Sequence, residues 1–591
     1  MAYRHESRPR SALHYLGSTS LLVGICLTFP APAALAADEP AHDAPHRTLH
    51  VSPAPIASVP ETQQFRLINE AAQVVEPGDT VLIHNGIYRE FVHITRSGTP
   101  DAPIEFRAAD PIPHVVVTGA DVLSNWTKEP GGSDANVFST TWGYMFLRGP
   151  THAHPDDDFH KLIGRTEQVF VLGYPLNQVL ERNQLSRGTF FVTEGEKRLY
   201  IWERDNRDLS HDGVTIEASA RPVIWQCDGN YVTVRGVRFL YAANAAQQGA
   251  AQFKGKGDII EDCSFDQTNA CGAAFLGEDI VVRRCSFADN GQLGFAAHHA
   301  HRLLFTDCVV RNNNIKGWNR GWEAGGDKIV LSRDAVIEKS VFEENMGNAI
   351  WFDIGNENCT VRNCLITGNQ DAGIFCEISS GLRAYDNVIK DNGFSQHAGA
   401  WGAQAGICLS SSPGCFVERN LIIGNREGFN FREQNRSTST IDSPKEVPIW
   451  NHDEVIRNNV LAYNRDAQTW GWFDISDDRH WPTAMQQKSS PTPGLSLEKL
   501  NIQFSNNLYC TDGAQKLIVW GAGWRHHVAF ATLDEVRTQL GFENGSQLGQ
   551  ITFSDSLTGD FRVSAESPAQ TMECYPKGEV PRVRLGIIKT R

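Results

Sequence analysis

Two short runs, Cys285-Ser-Phe-Ala-Asp-Asn290 and Cys308-Val-Val-Arg-Asn-Asn313, repeat one pattern at a distance of 23 residues. The same apolar step recurs at Cys263, Ser340, Cys364, Asn387, Asn420 and Asn459, and the successive spacings are 22, 23, 32, 24, 23, 33 and 39. The base period is therefore about 23, and the longer steps carry inserted loops. Five residues after seven of these anchors stands an asparagine: Asn290, Asn313, Asn345, Asn369, Asn392, Asn425 and Asn464. Asparagine tolerates the left-handed backbone of a tight bend, and its amide can bond the same residue one repeat away. So regular a placement reads as an asparagine ladder in a stacked solenoid.

A second strand begins after each bend, at Gly294-Phe295, Ala349-Ile350, Gly373-Ile374, Gly406-Ile407 and Gly428-Phe429. Short strands at this period define an all-β chain, a right-handed parallel β-helix of the pectate-lyase-like solenoid type. Leucine-rich repeats share the period but need a leucine grid and a helix, and neither is present. The expected plan is a signal peptide over 1–36, an amino-terminal cap and first coils over 37–121, and an inserted β-rich, sandwich-like subdomain over 122–218. The central helix with its active face follows over 219–465, then irregular coils and a cap over 466–591. Within the caps, Gln63–Val75 and Thr532–Leu540 read as helices.

Of the 591 residues, the first 36 have a basic start (Arg4, Arg8, Arg10), a short apolar core and Ala34-Leu35-Ala36. That is the pattern of a cleaved export signal, which places the mature protein outside the cytoplasm, secreted or periplasmic. Removing it shifts the formal charge from −15 to about −17, since three arginines and one glutamate leave. Such an acidic chain argues against nucleic acid as a partner and against a polyanion held by charge alone. No later stretch is long and apolar enough to span a membrane. The twelve cysteines beyond Cys26 lack zinc spacing, and four of them share one repeat position, as small buried hydrophobes do.

Equal positions in neighbouring coils lie one strand apart, so register becomes a chemical argument. Three residues into the second strand, the coils present His298, Asp353, Glu377, Ser410 and Arg432, with the coil of Lys328 between the first two. Side chains alternate along a strand, so Ile350, Phe352, Ile374 and Cys376 fill the interior while Trp351, Asp353, Phe375 and Glu377 face outward. Asp353 and Glu377 are then neighbours about 4.8 Å apart. A carboxylate nucleophile beside a carboxyl acid/base is what a retaining glycosidase needs. Trp351 and Phe375 would offer flat platforms to a sugar ring. Lys328, on the preceding coil, would keep Asp353 ionised, leaving Glu377 as acid/base. Inserted loops would bring Trp322 and Glu323 from one side and Trp401 and Gln404 from the other. Arg432 and His298 are read as outlying substrate contacts. No cofactor is called for; a Ca²⁺ on the Asp- and Asn-rich turns stays open, as does the oligomeric state.

The segments Trp322-Glu-Ala-Gly-Gly-Asp-Lys328, Ala349-Ile-Trp-Phe-Asp353 and Gly373-Ile-Phe-Cys-Glu-Ile-Ser379 resemble bacterial right-handed parallel β-helix proteins. Among these the chain is similar to the β-xylosidase-type β-helical glycoside hydrolases. The resemblance covers about 220–435, and it implies Asp353 as nucleophile and Glu377 as acid/base of a retaining mechanism on a carbohydrate. It departs at Asp327, where an inward position would suit an apolar residue. A polysaccharide lyase or epimerase on the same fold, and a non-catalytic carbohydrate-binding protein, are the alternatives, since a fold does not fix a function.

Overall fold

The computed structural model describes residues 46–588 apart from 111–113, 131–135, 147–161, 194, 210–212, 396–403, 435, 474–479, 487–495 and 523–525. Three long sheets run through the molecule, one of 14 strands and two of 13. One coil is Val281–Arg283, Ser286–Ala288 and Leu293–His298, a strand for each sheet. Each strand pairs in parallel with its counterpart in the next coil. Inward side chains form one continuous core, and identical positions stack: Phe239, Phe265 and Phe287 lie ring on ring at 4.9 and 4.8 Å.

The bend after the second strand is closed by the asparagines. Asn290, Asn313, Asn345, Asn369, Asn392 and Asn425 each donate from Nδ2 to Oδ1 of the next, at 2.8–3.1 Å. The file ends where Asn464 donates to Gln468. The left-handed backbone, however, belongs to the residue before each ladder asparagine: Asp289, Asn312, Glu344, Gly368, Asp391, Gly424 and Tyr463 all have φ between 53° and 69°. The preceding residue turns the corner, which frees the asparagine to point inward and bond along the stack. A second file occupies the other corner, where Asn387, Asn420, Asn459 and Asn507 repeat the same bond. In earlier coils Cys263, Cys285, Cys308 and Cys364 fill that position, and their thiols donate to main-chain carbonyls. All twelve described cysteines are buried and free.

Other segments pack around the solenoid. The insertion leaves through Ala120–Val122 and returns through Ile216–Ser219, which pair antiparallel. It forms a sheet of five strands against one of four, closed over Phe138, Val169, Phe190, Leu199 and Ile216. Near the amino terminus the helix expected over Gln63–Val75 shrinks to Ile68–Ala72, because Gln64–Phe65 instead extends the 14-stranded sheet beside Thr48–Val51. The coils continue past 466 through Ala467–Phe473, Gln503–Ser505, Leu508–Cys510 and Lys516–Ala522. The final segment then folds back, laying Ile551, Phe561, Val563 and Tyr575 over Val341, Leu365, Val388 and Leu421 on the outer face of one sheet. Leu533–Leu540 is helical, with Thr532 as its amino-terminal cap.

Asn369 sits mid-ladder, donating to Phe342 O and Asn392 Oδ1 while accepting from Asn345. Replacing it by Ala strands buried donors and acceptors on both sides, so Asn369→Ala should cost about 2–4 kcal/mol in denaturant unfolding with an unchanged slope.

Candidate active site

The ladder Ile350↔Ile374, Trp351↔Phe375 and Phe352↔Cys376 continues by one residue to set Asp353 opposite Glu377. The strand before it pairs Ile329 with Phe352, which puts Lys328 level with Trp351 on the same outward face. Lys328 Nζ lies 2.9 Å from Asp353 Oδ2 and 3.9 Å from Glu323 Oε2. It also donates to the Trp322 carbonyl at 2.8 Å and sits 4.3 Å over the Trp351 ring. Glu323 also accepts from Gln247, whose Nε2 donates to the same Oε2 at 2.6 Å. Five expected residues, Glu323, Lys328, Trp351, Asp353 and Glu377, thus converge.

Their surroundings differ from expectation in three ways. Trp351 and Phe375 are only 2% and 3% exposed, stacked at 5.4 Å with Ala372, Ala405 and Cys408, so they pack as a satellite core rather than open platforms. Asp353 and Glu377 are themselves nearly buried. That burial, with Glu377 adding to it, raises the Asp353 pKa despite Lys328, where Lys328 alone was expected to keep it low. Burial opposes the Lys328 charge too, but Asp353 and Glu323 outweigh it and raise its pKa. Glu323 is raised by burial, with Asp353 adding and Lys328 opposing. The third difference is a second cation: Arg436 Nη1 contacts Glu377 Oε1 at 2.6 Å.

Arg436 escapes a reading of the sequence. It opens a hairpin, Arg436–Thr440 against Ser443–Ile449, that accounts for part of the 39-residue step between Asn420 and Asn459. The spacing marks an insertion there but not its direction. The hairpin folds back over the turn after Asp353, where Gly355 (φ 63°) faces the Ser439 carbonyl so closely that a Cβ would stand 2.2 Å from it.

The other expected contacts are distributed elsewhere. Trp322 packs beside Trp318 against Ile163 of the insertion, and it reaches Lys328 through its carbonyl, not its ring. Gln404 turns to Ser395 and Arg426. Arg432 is buried two strands along from Glu377. His298 is exposed on the coil before Lys328. Trp401 lies outside the described residues. Among the described residues no cluster of three or more His, Cys, Asp or Glu side chains is arranged to hold a metal, and no helix is long and apolar enough to cross a membrane.

Asp327, the departure noted in the sequence, is fully buried. Its Oδ1 takes the Trp351 N–H at 2.9 Å, the place of a main-chain acceptor. Gly325, at φ 129°, bends the strand just before it. Burial drives the Asp327 pKa well up, opposed only by that N–H.

A family model described as the right handed beta helix region matches residues 223–389 and 332–509. The chain is a right-handed parallel β-helix protein. Of solved structures, the complex of XylC with xylose superposes at a TM-score of 0.61 with 16% identity, covering 80% of this chain and 86% of that one. A glycoside hydrolase (TM-score 0.44, 12% identity, 72% and 93% covered) and a mannuronic acid specific polysaccharide family 6 lyase from human gut microbiota (0.45, 13%, 85% and 91%) align less well. At such identities the likeness is one of fold. No curated protein matches the chain in sequence.

A raised carboxyl pKa stabilises the fold below the unfolded value, and that contribution is lost as pH rises through the folded one. Asp327→Asn keeps the acceptor and removes the titration. Its melting temperature should therefore exceed the wild type's more at pH 8 than at pH 4.

Proposed function

We propose that this β-helix is an exported carbohydrate-active enzyme, a retaining glycoside hydrolase acting on plant- or algal-type poly- or oligosaccharides. The observation that carries this reading is the opposed pair Asp353 and Glu377, each with its own cation. Retention requires two carboxyl groups about 5–5.5 Å apart, and adjacent coils supply strands at about 4.8 Å.

In this mechanism Asp353 is the nucleophile. Lys328, with a side chain 10% exposed and held by three further contacts, stays on Asp353 and favours its ionised form. Arg436, 30% exposed and borne on a hairpin, is the cation that yields its place on Glu377 to a substrate oxygen. In the retaining role Glu377 enters as the acid, and Asp353 as the carboxylate that Lys328 favours. Asp353 attacks the anomeric carbon while Glu377 gives its proton to the departing oxygen, leaving a glycosyl ester on Asp353. Glu377 next takes a proton from water, whose oxygen displaces Asp353 and restores the starting state.

Neutral sugars fit better than uronates here, because Lys328, the cation that stays in the site, is already paired with Asp353 and Glu323. The likeness to XylC, solved with xylose, supports the same choice.

The test is product analysis with aryl glycosides and plant or algal polysaccharides. Reducing ends should appear without an unsaturated, ultraviolet-absorbing product, whose appearance would overturn the reading. Glu377→Ala should lower kcat by about 10²–10⁴-fold on unactivated substrates. Azide should rescue Asp353→Ala with release of a glycosyl azide of inverted configuration. Lys328→Met removes the cation that lowers the Asp353 pKa, so the acid limb of kcat/KM should move to higher pH.

A further inference from the structure

The outward file of side chains that holds Lys328, Trp351 and Phe375 continues toward the amino terminus as Ala296, Ala274, Gln252 and Gln226. Side-chain volume drops abruptly at Ala296. Where the later coils carry a lysine and two aromatic rings, two coils carry only a methyl group, and the face sinks into a trench. Gln247 borders it on one side, and Leu276 and His298 on the other, enclosing a cavity of about 430 Å³ that ends at Lys328 and Glu323. From Gln252 to Lys328 the floor spans three strand spacings, about 14 Å, longer than a single pyranose ring.

The opposite end of the face is built differently. Beyond Phe375 and Glu377 the two outward files pass through Cys408 and Ser410, then Asn430 and Arg432, to Trp470 and Trp472, and the hairpin bearing Arg436 stands beside Glu377. The amino-terminal side carries alanine in two successive coils, and the other side has one coil of small residues before large ones return.

Polar groups along the trench are amides and an imidazole. The single cation among its described lining residues, Lys328, is held by Asp353 and Glu323. His298 opens to solvent on one side, but its partial desolvation against the trench wall, with His299 adding, lowers its pKa and favours its neutral form. No cation besides Lys328 is among the described lining residues to balance a carboxylate on the ligand, while amides beside small apolar patches match hydroxyl groups and ring faces.

We propose that the trench from Lys328 to Gln252 is a binding track for a neutral oligosaccharide, carrying at least one sugar residue beyond those at the acid pair, on its amino-terminal side. The proposal rests on Asp353 and Glu377 as the hydrolytic pair, and it makes the enzyme one that prefers chains to disaccharides.

The probes are β-1,4-linked xylo-oligosaccharides of two to six units. The wild type should show kcat/KM rising at least about tenfold from biose to hexaose, as remote binding energy is used in the transition state. Ala274→Trp fills the trench with a side chain that the same file already carries at Trp351, and it should collapse that ratio toward one. Gln252→Ala, a milder change, should reduce it partially, with thermal melts verifying both folds. No rise with length, or an equal loss on every length, overturns the track.

Should no sugar be released at all, calorimetry on Glu377→Gln reads the track alone. Tighter binding of hexaose than biose, abolished by adding Ala274→Trp, supports the track although the hydrolytic reading has failed. Equal binding, no binding, or preference for a hexauronate overturns it.

Discussion

Neighbouring coils are held one strand spacing apart, about 4.8 Å, by parallel ladders and by two files of side-chain amides. The register of every outward and inward file follows from that constraint. Because each asparagine both donates to and accepts from its neighbours, a ladder position tolerates no shift of one coil against the next. The stack therefore repeats its register with little drift over the central coils, and side chains of unrelated chemistry are brought into files by position alone.

Those files explain how charge comes to be concentrated at one place. Glu323, Lys328, Asp353 and Glu377 meet in a nearly buried cluster in which the first, third and fourth are acids. Such a group is costly to assemble, since desolvation weighs on every charge and the acids repel. It persists because two cations and a glutamine satisfy it. The insertion contributes by packing Ile163 behind Trp318 and Trp322, whose carbonyl holds Lys328. A cluster that strains stability in this way is a common mark of a functional site.

The face around the cluster is graded in height, and the gradient is set by side-chain size along single files. In the file of Lys328, Ala274 and Ala296 stand just before it, and Trp351 and Phe375 just after it. A solenoid thus writes a groove in its sequence by substituting one residue per coil, without altering the backbone that carries it.

The amino-acid sequence alone determines much of this. The period of about 23, the asparagine file and the alternation along the second strand follow from residue spacing, because a stacked fold turns spacing directly into contact. Asp353, Glu377 and Lys328 are found by that route. Tertiary structure decides what spacing does not encode. It assigns the left-handed bends to the residues before the asparagines, since only a corner's three-dimensional path tells which residue turns. Trp351 and Phe375 are sealed against each other, so an outward position is not an open one. Asp353 has a raised pKa because burial, invisible in the sequence, outweighs the lysine that spacing places beside it. Arg436 reaches Glu377 because an inserted hairpin folds back across the coils, and the direction of an insertion depends on what it packs against rather than on its length.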